Sequence, residues 1–195
     1  MERIRMSLLT IIILVAVILV LLAIIALVAS GGIICSGLTG KMATGAESLS
    51  PAGQIAGNAL VVYDPGVTGA AKKAAAEIAG DLQSKGYKVE LAGVSSTAAS
   101  SASGYDVVVV GGPIYFGKAS NSIEAYLKGL ELQENTKLGV FGTTGSNDFV
   151  ASDLTSLESQ VASLQNRKAE VMLIGDRDEI KAARSCRDLV AVVTQ

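Results

Sequence analysis

The sequence predicts a doubly wound α/β sandwich, a five-stranded parallel sheet with helices on both faces, set behind one N-terminal transmembrane helix. Three observations carry this reading. Val107–Val110 is an unbroken β-branched run bounded by Asp106 and by Gly111 and Gly112, which is how a strand buried on both faces reads. Along the second half of the chain, strand-like runs alternate with helical ones of about ten residues or more, the signature of parallel strands joined by right-handed crossovers. Glycine-rich segments follow several of those strands, and open α/β sheets bind their ligands beyond the carboxyl ends of the strands.

In chain order, the first element is apolar. Over Leu8–Ala29 the only polar side chain is Thr10, and at about 1.5 Å per residue the run spans roughly 33 Å, enough for a hydrocarbon core of about 30 Å. It reads as a transmembrane helix within an N-terminal segment 1–30, its lipid contact running over residues 8–29. A cleaved signal peptide is the competing reading, although its apolar region is usually about 7 to 15 residues long. Arg3 and Arg5 precede the run and the next basic residue is Lys41, so the positive-inside bias places the N-terminus in the cytoplasm and the rest outside. Residues 31–57, rich in Gly, Ser, Thr and Ala without a sustained period, read as a flexible linker. The folded domain is expected over 58–195.

Within that domain, Ala59–Tyr63 is the first strand, and Asp64–Gly69 is a turn that hands over to a helix running to about Lys85. Ala71, Ala75, Ile78, Ala79 and Leu82 lie on one stripe of that helix, its buried face. Gly86 ends it, and Tyr87–Leu91 alternates as an exposed edge strand does. Gly93–Gly104, mostly Ser and Ala, allows at most a short helix. The central strand follows, then a helix from about Asn121 to Leu130 with Ile123, Tyr126, Leu127 and Leu130 inward. Lys137–Phe141 is the fourth strand. A helix from about Ser152 to Gln165 buries Leu154, Leu157, Val161 and Leu164, Glu170–Ile174 is the fifth strand, and Glu179–Val193 the last helix. With strand order 2-1-3-4-5, the first and third strands are neighbours where the winding reverses, so the loops after Tyr63, Val110 and Phe141 converge on one crevice.

Composition removes several chemistries. The chain of 195 residues has no histidine, which excludes Ser-His-Asp and Cys-His catalysis and imidazole-bound zinc. Cys35 and Cys186 have no metal or redox partner at useful spacing, so no metal site and no catalytic residue is assigned. The formal net charge is −2 and no basic stripe appears, which argues against nucleic acid as a partner.

Tyr105–Gly117, reading YDVVVVGGPIYFG, resembles the third strand and first flavin-contacting loop of the flavodoxin family, and Gly139–Gly145, reading GVFGTTG, resembles the second such loop. The resemblance covers roughly Asn58–Gln195 and implies FMN as cofactor, with Pro113, Ile114, Tyr115 and Phe116 on one side of the ring and Thr143, Thr144, Gly145 and Ser146 on the other. The phosphate loop departs from the family. Asp64–Ala71 reads DPGVTGAA, where Thr68 and Gly69 match the family's Thr-Gly but Ala70 and Ala71 replace its Asn and last Thr. Backbone N–H groups of Thr68, Gly69, Ala70 and Ala71, with the Thr68 hydroxyl, are the expected phosphate contacts, and this grip implies that riboflavin binds more weakly than FMN. Pro65 adds no N–H and Asp64 would repel a dianion. The resemblance implies a membrane-anchored FMN module passing electrons to or from an unknown redox protein. The alternative is a cofactor-free interaction module on the same fold. A phosphoryl-accepting receiver domain fits poorly, because the third strand ends in Gly111–Gly112 and not in an aspartate.

Overall fold

The computed structural model describes Val17, Leu19 and residues 43–146, 148–165 and 168–195. Apart from Val17 and Leu19, the helix expected over Leu8–Ala29 lies outside the described residues. Among those described, no helix is long and apolar enough to cross a membrane. The chain divides into two compact units, Met1–Leu38 and Thr39–Gln195, and the second carries the α/β fold.

Among the described residues seven strands form the sheet: β1 (Ala46–Leu49), β2 (Gly57–Tyr63), β3 (Tyr87–Gly93), β4 (Val107–Tyr115), β5 (Lys118–Ala119), β6 (Lys137–Thr144) and β7 (Glu170–Gly175). The helices are α1 (Ala70–Ser84), α2 (Asn121–Gly129), α3 (Ala151–Gln165) and α4 (Glu179–Val193), with a 3₁₀ turn at Thr97–Ser100 in the segment expected to hold at most a short helix. The strands run in the order β1-β3-β2-β4-β6-β7, with β5 hanging from β4. From β3 to β7 every pairing is parallel, and this core of five strands has the expected 2-1-3-4-5 order.

The valine run divides its side chains between two cores, because alternate residues of a strand face opposite ways. Val107 and Val109 join Val61, Phe141, Ile78, Leu82 and Leu189 on the α1 and α4 face. Val108 and Val110 join Leu60, Ile123, Leu127, Leu157 and Val161 on the α2 and α3 face. The α1 stripe is buried as its spacing requires, Ala71 included. On α2 only Ile123 and Leu127 are buried outright, while Tyr126 and Leu130 are half-buried.

Two expectations need correction. The linker expected over 31–57 is not a linker throughout, since Ala46–Leu49 pairs antiparallel with β3. Ala43 is buried, its carbonyl accepts from the Ser95 N–H at 2.9 Å, and the Gly45 carbonyl accepts from the Gly93 N–H at 2.8 Å. Tyr87–Leu91 is therefore an inner strand, and the domain begins well before residue 58. The reason is physical: Ala-Glu-Ser-Leu on an outer edge buries almost nothing, so it needs no hydrophobic alternation.

The central strand also does not end at Val110. It continues through Gly111, Gly112, Pro113 and Ile114 to Tyr115, then folds back as a hairpin in which Tyr115 pairs with Lys118 and Ile114 with Ala119. The two turn residues, Phe116 at φ 52° and Gly117 at φ 77°, are both left-handed. Two-residue hairpins favour that type I′ geometry because it matches the twist of the strands.

Candidate functional site

Three chain segments meet beyond the carboxyl ends of β2, β4 and β6. The first begins at Asp64, whose N–H donates to the Gly111 carbonyl at 3.0 Å, fixing β2 against β4. The Asp64 side chain turns inward and is only 5% exposed. One of its oxygens accepts from the Gly66 N–H at 2.9 Å. The other accepts from the Ser120 hydroxyl at 2.8 Å and from the Ser122 hydroxyl. Ser120 is the N-cap residue of α2, yet its hydroxyl does not cap the helix. A buried carboxylate needs such partners, because desolvation without them costs several kcal/mol, on the order of the whole stability of a small domain.

Gly66 sits at φ 63°, and a Cβ there would come 2.9 Å from Pro113 and 3.1 Å from the Tyr115 hydroxyl, so the first segment lies directly against the second. The contact is also polar, since the Val67 N–H donates to the Tyr115 hydroxyl oxygen at 3.3 Å. The Thr68 hydroxyl accepts from the Ala70 N–H at 3.3 Å. Of the four residues expected at a phosphate, Thr68 is exposed, Gly69 and Ala70 are half-exposed, and Ala71 is 1% exposed with its methyl in the core.

At the tip of the hairpin Phe116 is fully exposed, at 105%, and Tyr115 is 44% exposed. The hairpin is braced from α3, where the Gln160 side-chain oxygen accepts from the Ala119 N–H at 3.2 Å. Between this hairpin and the third segment lies a cavity of about 240 Å³ lined by Ile114, Gly117, Thr144, Ser146, Asp148 and Phe149, with Asp153, Ser156 and Leu157 of α3 behind them and Leu173 of β7. Ser146 closes a tight turn, its N–H donating to the Thr144 hydroxyl at 3.4 Å and its own oxygen accepting from the Asp148 N–H at 3.3 Å. The Asp153 carboxylate accepts from the Val150 N–H at 3.0 Å, holding the start of α3.

The eight residues expected around a ring divide accordingly. Ile114, Thr144 and Ser146 line one cavity with Gly117, whereas Tyr115 turns its hydroxyl to the first segment and Phe116 is exposed on the hairpin tip beside Gly117. Pro113 is buried against the first segment and Gly145 is exposed beside Asp176. Thr143, one residue from Thr144 and so on the opposite face of the sheet, lines a separate cavity of about 100 Å³ between α1 and α4, with Ala74, Ile174 and Cys186. There burial pushes the Cys186 thiol up to about 12, and the Glu179 carboxylate, by hydrogen bonding to Lys73, raises that ammonium above its ordinary value.

Asp148, Phe149 and Asp153 were not anticipated from the sequence, nor were Ser120 and Ser122. The only signal for Phe149 was an aromatic residue in a loop downstream of a strand terminus, which is weak by itself. The serines lie 56 and 58 positions from Asp64, and nothing in a linear pattern joins them to it.

Flavin chemistry suits the ring end of this site, where a planar ligand would find exposed aromatic faces, hydroxyls and a recess. The phosphate end suits it poorly, because the Asp64 carboxylate lies beneath the loop and the Gly66, Val67 and Ala70 N–H groups are already engaged by the chain's own oxygens.

Among solved structures, the fold is similar to that of oxidised flavodoxin 2 from Bacillus cereus, at 16% identity, 70% of this chain and 97% of that chain, with a TM-score of 0.51. It is also similar to an NADH:FMN oxidoreductase in its apo form, at 12% identity, 70% of this chain and 88% of that chain, with a TM-score of 0.50. At such identities these likenesses establish the fold alone. No curated protein matches the chain. The family model described as the flavodoxin domain matches residues 60–174, from the second residue pairing β2 with β4 to the penultimate residue of β7. With more than half of its length inside that match and the five parallel strands in 2-1-3-4-5 order, the chain belongs to the flavodoxin domain family, a family of flavin-binding electron carriers.

Proposed function

We propose that this protein is a membrane-anchored electron-transfer module that binds FMN between the β4–β5 hairpin and the loop after β6. The observation that carries the reading is Phe116. It is a bulky residue in left-handed backbone, and it is fully exposed. Each of these costs stability, on the order of 1 kcal/mol or more for the backbone alone, and strain of this kind persists where function maintains it. A planar ring laid against Phe116 and Tyr115 gives that arrangement a use, since aromatic pairs gain about 0.5–1.5 kcal/mol beyond the area they bury.

A bound flavin supplies one- or two-electron transfer. The protein's part is to bind, orient and tune. Tyr115 and Phe116 cover one face and exclude water. The Thr144 hydroxyl, which only accepts from the Ser146 N–H, has its proton to offer the polar edge of the ring from the cavity wall beside Ile114 and Phe149. Asp148 and Asp153 put negative charge beside the same cavity, which opposes the arrival of an electron and lowers the reduction potential. Residues 8–29 are the bilayer contact, with the N-terminus in the cytoplasm and the domain outside, and the electron partner is a redox protein that meets the exposed hairpin.

A cofactor-free interaction module is the second reading, and the inward carboxylate of Asp64 with its engaged neighbours favours it. Titration separates the two. Saturable quenching of flavin fluorescence by the full chain, weakened severalfold in Phe116→Ala, supports the FMN module. Absence of quenching at high micromolar protein supports the second.

A further inference from the structure

Between Asp64 and Ala71 three of the backbone donors that an anionic group could use are engaged from within, and a carboxylate lies beneath them. Pro65 has none. The Gly66 N–H is held by the Asp64 carboxylate at 2.9 Å, the Val67 N–H by the Tyr115 hydroxyl at 3.3 Å, and the Ala70 N–H by the Thr68 hydroxyl at 3.3 Å. The Ala71 methyl is in the core and adds no hydroxyl there. Lys73, one turn into α1, is paired with Glu179, and Lys72 is exposed on the helix surface. The Asp64 carboxylate itself is 5% exposed and cannot turn away without abandoning two hydroxyls and an N–H. A negative charge is thus fixed beneath the loop, where low local dielectric makes its repulsion of a second anion stronger than it would be in water.

We propose that Asp64 is a specificity-determining residue that makes the site read the flavin ring and ignore its phosphate, so that riboflavin binds as tightly as FMN. The proposal rests on the flavin reading given above. It reverses the expectation, drawn from loop resemblance, that riboflavin is the weaker ligand. The Tyr115 hydroxyl, which engages the Val67 N–H at 3.3 Å, ties the loop that holds Asp64 to the hairpin that carries Phe116.

Fluorescence-quenching titrations of the full chain in mild detergent with riboflavin and with FMN, at low ionic strength, test this directly. The expected result is two dissociation constants within about twofold of each other. In Asp64→Asn, which keeps hydrogen-bonding capacity and removes the charge, FMN tightens relative to riboflavin by about three- to tenfold. FMN binding tenfold or more tightly than riboflavin to the native sequence overturns the proposal while leaving the flavin reading intact. Quenching by neither ligand ends both. If Asp64→Asn fails to fold, the ratio measured on the native sequence decides alone.

Discussion

The Asp64 carboxylate at the end of β2 accepts from the Ser120 hydroxyl, 2.8 Å away at the start of α2. This bond ties together two elements that flank the central strand, and the Ser122 hydroxyl reinforces it. Ser120→Ala is expected to lower the unfolding free energy by about 1–3 kcal/mol, the usual range for a buried hydrogen bond to a charged acceptor. Asp64→Ala should cost more than either serine replacement, because it leaves an N–H and two hydroxyls without their acceptor. Urea unfolding followed by circular dichroism would give the order, and equal losses for all three variants would show that the cluster does not act as a unit.

Phe116 should show opposite effects on stability and binding. Phe116→Gly relieves the left-handed backbone and removes an exposed aromatic ring, so the melting temperature should rise, by the equivalent of about 1 kcal/mol. Flavin affinity should fall about three- to tenfold from the lost aromatic contact. A glycine variant that is less stable, or that binds flavin unchanged, would remove the functional explanation for the strain.

The edge strand β1 makes the segment before residue 57 part of the fold. A chain beginning at Gly57 loses the β1–β3 ladder as well as the Ala43 and Gly45 carbonyl contacts. At about 0.5–1.5 kcal/mol for each net backbone bond, the loss should be several kcal/mol. Thermal unfolding of this truncated chain beside one beginning at Thr39 provides the comparison, and equal midpoints would mean that β1 adds nothing.

The Cys186 thiol, pushed up to about 12 by burial, should be inert to thiol reagents in the folded protein at pH 8 and should react at once when the protein is unfolded. The sign for stability follows from the same direction. The folded thiol holds its proton above the ordinary value of 9.0, so its contribution is fully present below about pH 9 and is lost as pH rises toward about 12. Alkylation kinetics in a Cys35→Ser background would measure the first effect, and fast labelling of the native state would contradict it.

Much of this architecture was legible because burial writes itself into sequence. Val107–Val110 could only be an inner strand, and the Ala71–Leu82 stripe gave the inward face of α1. That stripe and the loop resemblance made conflicting demands on Ala71, one placing it in the core and the other beside a phosphate. For the side chain the core prevails. Strand β1 was illegible because an outer edge carries no apolar period. The extension of β4 to Tyr115 was hidden because Gly-Gly-Pro is the composition of a loop, and its hairpin uses Phe-Gly where Asn-Gly is the usual signal. The pairing of Asp64 with Ser120 and Ser122 exists only once the crossover has been made.

Charge at the ring cavity leads to a further outcome. Asp153→Asn, which retains an acceptor for the Val150 N–H, should raise the midpoint potential of bound flavin on the order of tens of millivolts, with the larger shift at low salt. Redox titration at two ionic strengths checks both the sign and the screening.

The central claim is that flavin lies between the β4–β5 hairpin and the loop after β6. Amide chemical-shift mapping of the isotopically labelled full chain in detergent, with riboflavin added stepwise, tests it most directly. The account predicts saturable shifts concentrated at Ile114–Lys118 and at Thr144–Phe149, with little change along Ala74, Ile174 and Cys186 at the cavity between α1 and α4. Shifts centred on that second cavity, or no saturable shifts anywhere, would contradict it.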